Sequence, residues 1–243
     1  KQNKISKIKD MLQVKPKEVT DAIAERGERQ LFRLSVIIDV LYALMIYKLF
    51  TLMPNPQVDG FGRDDLYKVL TESFLNYTVI FIGLALVIIY WGLSNVQFGN
   101  LKRTNPMHST ISIMQVFALM LYIYFVRLDA EFGGEVLLMQ LQSLFLAIAG
   151  FLSVGSWHYS VKNDLVSDAP TDIEKETLYI KLIPEPVVSL LTFPLAWFGP
   201  MVWTLGWLLL IPVGWALKKY RAHLRFMSVL KEKEIIEDSK LED

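Results

Sequence analysis

Four long uncharged stretches constrain this chain more than any other feature. No Asp, Glu, Lys or Arg occurs from Ser73 to Leu101, Thr104 to Val126, Val136 to Val161 or Pro186 to Leu217. An apolar helix needs about 20 residues to cross the hydrocarbon core of a bilayer. A charge at the centre of such a span costs about 2.5–3.5 kcal/mol on insertion scales. A soluble protein with buried helices rarely supplies uncharged segments of this length. The runs therefore predict an all-α, polytopic membrane protein.

The last run is broken by Pro194, Gly199 and Pro200, so it divides into two spans. A fifth apolar run, Leu34 to Met53, contains Asp39 and Lys48. Six spans result, over 34–53, 73–97, 108–126, 136–157, 182–198 and 201–217. The Gly199-Pro200 break makes the last two an antiparallel hairpin, and Pro184, Pro186 and Pro194 start and kink its first arm.

Orientation follows from the placement of Lys and Arg beside the spans. Residues 1–33 hold nine of them, the 98–107 loop holds Lys102 and Arg103, and the 158–181 loop holds Lys162, Lys175 and Lys181. Lys218, Lys219, Arg221 and Arg225 follow the last span. The opposite side carries only Arg63, Lys68 and Arg127. The positive-inside bias predicts both termini in the cytoplasm, which agrees with an even number of spans. The first residues are Lys-rich without an apolar h-region, so no cleavable signal peptide is expected there.

Three regions are expected: a cytoplasmic amphipathic segment over 1–32, a six-helix transmembrane domain over 33–217, and a cytoplasmic helical tail over 218–243. The first has Val19, Ile23 and Leu31 on a weak stripe, and the tail has Leu224, Met227, Leu230 and Ile235 at near-helical spacing. Each is expected to lie on its own protein or on the membrane surface. No internal repeat is visible, which gives an inverted-repeat transporter no support.

Enzyme chemistry is poorly supplied. Net charge is zero, with no clustered basic face for nucleic acid. Cysteine is absent, which excludes disulfides, thiolate metal sites and a Cys nucleophile. No HExxH, GxSxG, GxGxxG or Walker pattern occurs. The three histidines, His108, His158 and His223, stand near cytoplasmic membrane edges and are expected to be surface residues. No enzyme activity, metal or cofactor is expected.

The first span holds the remaining functional signal. An ionisable group inside a span faces water or a partner, because facing lipid is expensive. Asp39 stands about 9 Å along the helix from Arg33, too far for an i,i+4 bridge, so another helix or subunit must supply its partner. Ile37, Leu41, Leu44, Lys48 and Thr51 share one face at i±3 and i±4 spacing. If that face lined a pore, Leu44 would form an apolar ring near mid-membrane with Lys48 one turn outward. The face with Asp39, Tyr42, Ala43, Ile46 and Tyr47 is expected to pack.

The segment Arg33-Leu-Ser-Val-Ile-Ile-Asp39 resembles the RxxxFSD signature of the transmembrane protein 175 family, the lysosomal potassium channels and their prokaryotic relatives. Trp91-Gly-Leu-Ser94, followed by Lys102-Arg103, is similar to that family's W-x-x-H segment and basic loop. The hairpin around Pro186, Pro194 and Trp197-Phe198-Gly199-Pro200 looks like its closing helix pair. The likeness covers about residues 28–217.

The resemblance implies a homotetramer in the inner (plasma) membrane of a prokaryote, conducting potassium or another monovalent cation along the first helix. The family's apolar constriction falls on Leu44 and its next pore-facing positions on Lys48 and Thr51, to which the helical spacing adds Ile37 and Leu41. Arg33, Asp39, Trp91 and Ser94 fall on the polar network that holds the pore helix. The chain departs from the pattern in three places. Ile37 and Ile38 replace the signature Phe and Ser, Ser94 replaces the second-span His, and Lys48 places ammonium groups in a cation path. The alternative expectation is therefore a homologue that conducts anions, or one that no longer conducts and serves a structural or regulatory role.

Overall fold

The computed structural model describes residues 16–52 and 74–222. Among them the chain is helical throughout, with a single isolated bridge between Leu101 and Val166. Six helices are long and apolar enough to cross a membrane: Ala24–Phe50, Ile80–Gly99, Pro106–Phe132, Val136–Lys162, Ile173–Phe198 and Pro200–Ala222. The core of each expected span lies within one of these. Several are longer than expected, because polar residues continue the helices beyond the apolar runs.

The first helix, α1 (Pro16–Phe50), is one continuous element. The expected boundary between residues 32 and 33 therefore falls in its interior. Helix α2 covers Phe74–Gly99, α3 covers Pro106–Phe132 and α4 covers Val136–Lys162. Residues 1–15, the 53–73 connection and most of the expected tail, 223–243, lie outside the described residues.

Local chemistry sets the helix ends. Asn105 caps α3 by accepting from the His108 amide at 2.9 Å, with Pro106 at the first helical position, where a missing amide hydrogen is harmless. The helix closes at Gly133, whose φ of 77° suits glycine, and Gly134 at φ 85° completes the turn into α4. A helix that the sequence reading missed, α5 (Asp172–Leu182), starts at a capping box: the Thr171 hydroxyl accepts from the Glu174 amide, and Glu174 accepts from the Thr171 amide at 2.8 Å. Thr-x-x-Glu was the available signal.

After a break at Ile183, α6 (Pro184–Leu195) begins on Pro184 and passes through Pro194 into a 3₁₀ turn at Ala196–Phe198. Gly199, at φ 100°, reverses the chain. Helix α7 (Pro200–Gly206) then starts on Pro200, and helical backbone continues through a second 3₁₀ turn, Trp207–Leu209, to residue 222.

Helix α4 is the centre of the bundle, packing most extensively against α3 and then α6. Its buried stripe is small and polar as well as apolar: Ser143, Ala147, Gly150, Ser153 and Ser156. Lipid tails are as apolar as leucine, so helices in a membrane associate through close backbone approach and interhelical hydrogen bonds rather than water exclusion. The structure shows those bonds. Ser143 joins Thr192 at 3.0 Å and accepts from Trp203 Nε1 at 2.9 Å. Gln97 donates to Ser153 at 2.8 Å, and Ser112 lies 3.3 Å from Ser156.

One end of the bundle is tied by loops. Thr104 donates its amide to the Gly27 carbonyl at 3.2 Å, and Lys102 donates its amide to Leu165 at 2.9 Å. Arg221 bonds the Ile173 carbonyl at 2.7 Å and the Thr177 hydroxyl. His108 is buried here, contrary to its expected surface position, 2.7 Å from the Thr104 hydroxyl. His158 lies 2.9 Å from the Tyr179 hydroxyl.

Asp164, at φ 53°, occupies the left-handed region that Asp and Asn tolerate, and pairs with Lys102 at 3.0 Å and Arg103 at 3.6 Å. The Lys102 hydrogen bond, with its charge and that of Arg103, holds the Asp164 carboxyl below its ordinary range. A depressed carboxyl stabilises the fold above its unfolded-state value, and that contribution is lost as pH falls through the folded value. Melting temperature should therefore show an acid-side dependence that weakens in Asp164→Asn, which keeps the backbone conformation and removes the charge. Identical pH profiles for parent and variant in detergent, between about pH 2 and 6, would remove this ion pair from the end clamp.

Candidate pore face

Helix α1 packs on the bundle through one narrow line. Leu34, Ile38, Tyr42, Met45 and Leu49 are buried, at the three- and four-residue steps that keep side chains on one face. They meet α2 and α3. Only 22% of the helix's most apolar window is buried, against 44% in α3 and α4. Apart from this line, its half-buried margins and the contacts of Gly27 and Asp39, α1 is open among the described residues.

Within the single chain the expected packing face is only partly covered. Tyr42 is buried and Ile46 partly so, but Asp39, Ala43 and Tyr47 are exposed. The bundle contacts a face rotated toward Leu34, Met45 and Leu49. The stripe expected to line a pore is mostly open. Ile37 and Leu44 are each 54% exposed, Lys48 is exposed and Leu41 is half-buried at its margin. Thr51 turns its hydroxyl onto the Lys48 carbonyl at 2.7 Å, closing the last turn of the helix.

Asp39 sits on the other margin of the open side, facing α2. Trp91 Nε1 donates to its carboxylate at 2.9 Å. Asn95, with its amide turned so that both groups are satisfied, donates to Asp39 at 3.3 Å. One turn of α2 therefore presents Trp91 and Asn95 to the same carboxylate. Asn95 went unnoticed in the sequence, although its i+4 spacing from Trp91 was a legible signal. Ser94 points elsewhere: it is buried against the Tyr42 hydroxyl, which makes no hydrogen bond of ordinary geometry among the described residues.

Arg33 is exposed and makes no side-chain hydrogen bond or ion pair among the described residues. Asp39 and Trp91 are brought together; Arg33 and Ser94 are not part of that contact. A groove of about 390 Å³ runs past Asp39 between α1 and α2, lined also by Glu28, Phe32, Ser35, Asn95 and Lys102. No group of His, Cys, Asp and Glu among the described residues has metal-site geometry.

A second polar cluster joins α2, α4 and α6. Glu185 of α6 is 7% exposed and accepts from Ser189 at 2.6 Å and from the Tyr90 hydroxyl. Tyr90 also reaches the Leu146 carbonyl at 3.3 Å. Sequence reading missed Glu185 because it borders an uncharged run and looked like the start of a span.

No family model matches the sequence, and no curated protein matches it. Solved structures do match in fold. The lysosomal potassium-selective channel TMEM175 homolog from Chamaesiphon minutus superimposes with a TM-score of 0.62 at 14% identity, covering 79% of this chain and 98% of that one. A variant of the potassium channel MtTMEM175, in complex with a nanobody fusion, gives 0.56 at 16% identity, covering 79% and 93%. This chain has the TMEM175 channel fold. At these identities the relationship is distant and the likeness is one of architecture. The superposition with the first of these covers most of a chain whose described residues include six helices long and apolar enough to cross a membrane.

Proposed function

We propose that this chain is the subunit of a passive ion channel, not an enzyme, and that several copies assemble with α1 of each lining the pathway. Four copies are the number the family resemblance implies. The observation that carries the reading is the open side of α1, the longest described helix, in a fold shared with potassium channels. A helix with Ile37, Val40, Leu44 and Tyr47 on one side and Lys48 beside them is poorly suited to lie wholly in lipid. Around an axis it divides well. Ile37, Leu41, Leu44, Lys48 and Thr51 face inward with Val40 at their margin, and Val36, Ala43 and Tyr47 meet the next subunit. Asp39, held by Trp91 and Asn95, fixes the rotation of the helix.

Leu44 is the constriction in this arrangement. Apolar rings close a pore by excluding water rather than by blocking it with atoms. The Lys and Arg gathered at one end of the bundle support a reading with both termini in the cytoplasm, and the membrane in that reading is the plasma membrane of a prokaryote. The solved channels make potassium the reference ion.

The test is ion flux through the purified chain in liposomes. Leu44→Ala should raise conductance several-fold, because shortening the ring widens the wetted path, while Leu44→Ile should stay near the parent. An oligomer that carries no current would overturn the channel reading. Conduction insensitive to Leu44 would remove α1 from the pore.

A further inference from the structure

We infer that the ion this pore admits is a small monovalent anion, of the halide or nitrate class, and that Arg33 and Lys48 select it from the two mouths. The inference rests on the reading of α1 as the pore lining and concerns only the sign of the ion.

The open side of α1 carries a continuous register of residues 26, 29, 33, 37, 40, 44, 48 and 51, in steps of three and four. From the end clamped by Gly27 outward it reads Arg26, Arg29, Arg33, Ile37, Val40, Leu44, Lys48, Thr51. Every one of these residues is exposed in the subunit. The opposite side is fixed by Gly27, where an added Cβ would lie 3.0 Å from Arg103 and 3.2 Å from the Thr104 carbonyl. The basic side chains therefore cannot be turned toward the bundle without breaking that contact. Arg33 and Lys48 bracket about 22 Å of helix at the usual rise, and the residues between them on this register are all apolar.

The acidic groups of α1 over residues 24–50 lie off the register. Glu25 pairs with Arg29 at 3.0 Å. Glu28 and Asp39 both line the groove toward α2, where Asp39 accepts from Trp91 and Asn95. Among the described residues no carboxylate stands on the open stripe, and Arg26, Arg33 and Lys48 have no ion-pair partner there.

A ring of like charges at each mouth concentrates counter-ions and repels co-ions, and the effect multiplies with the number of copies. Cation channels place Asp or Glu rings at such positions, and anion pores place Arg or Lys there. The apolar middle adds a second selection. An ion passing Leu44 must shed part of its water, so weakly hydrated anions such as nitrate and iodide should pass more readily than chloride.

The experiment is the reversal potential of the reconstituted full-length chain in a tenfold potassium chloride gradient, at low ionic strength so that screening does not hide the rings. Reversal near the chloride equilibrium potential, with nitrate above chloride, is the expected result. Reversal near the potassium potential or near zero overturns the anion inference and leaves the channel reading standing. An assembled oligomer without current overturns both. Lys48→Glu and Arg33→Glu should each shift the chloride-to-potassium permeability ratio about tenfold toward cations, with Lys48→Gln and Arg33→Gln shifting it less. A ratio unchanged by all four substitutions overturns the assignment of selection to these two residues.

Discussion

Replacing Gly150 by alanine should unseat the middle of the bundle. A Cβ at this point of α4 would lie 2.7 Å from Pro186 Cβ and 2.8 Å from the Tyr90 hydroxyl, and it would overlap the Glu185 carboxylate. Flexible side-chain tips yield cheaply, but the Pro186 ring cannot turn away. Relief requires α4 and α6 to move apart, which opens the Ser143–Thr192 bond on the same pair of helices. Overpacking of this kind costs about 1–3 kcal/mol, and disturbed buried hydrogen bonds add to it. We expect a loss of about 2–4 kcal/mol, measured by unfolding in mixed micelles. Gly155 on the same helix is the control, since nothing lies within 4 Å of its added Cβ. Gly155→Ala should be neutral or stabilising by up to about 1 kcal/mol, as intrinsic helix propensity dictates. Equal losses at the two sites would show that α4 and α6 are not in close contact at Gly150.

The second large effect is expected at Glu185, where truncation and conservative replacement should differ sharply. In Glu185→Ala, Ser189 loses its 2.6 Å partner and Tyr90 keeps only the Leu146 carbonyl at 3.3 Å. Hydrogen bonds between membrane helices average about 0.6 kcal/mol, so the bonds alone predict a small change. The larger part comes from leaving buried donors unpaired, at about 1–3 kcal/mol, together with the cavity left by the removed atoms. Glu185→Gln retains an acceptor oxygen of the same reach and should fall within about 1 kcal/mol of the parent. Because Tyr90 belongs to α2, which packs on α1, Glu185→Ala should also lower the yield of assembled oligomer. Equal stability of the alanine and glutamine variants would count against a hydrogen-bonding role for this carboxylate.

Much of the candidate site was legible at the level of residue type and spacing. The stripe of Ile37, Leu44 and Lys48 emerges on the open side of α1 as the three- and four-residue steps implied, and Asp39 does find Trp91 across the helix pair. The rotation of α1 was not legible. Apolar residues surround this helix on every side, so no periodicity distinguishes the buried line of Leu34, Ile38, Tyr42, Met45 and Leu49 from its neighbours. In water, burial sorts apolar from polar faces. In lipid both faces are apolar, and the distinction disappears from composition. The Glu185 cluster was hidden for a related reason. Tyr90, Gly150, Glu185 and Ser189 come from three helices, and nothing in a one-dimensional pattern indicates that they meet.

The sequence by itself determined that this chain spans a membrane, how many times it does so, and where the closing hairpin turns. Those properties follow from charge-free length, from proline and from glycine, which act locally. The tertiary structure alone decided which side of α1 is open, which acidic groups are drawn away from it, and which polar side chains bind α2, α4 and α6 together. Those outcomes depend on close approach between helices and on donors and acceptors in register across them, and such distances exist only once the helices have packed.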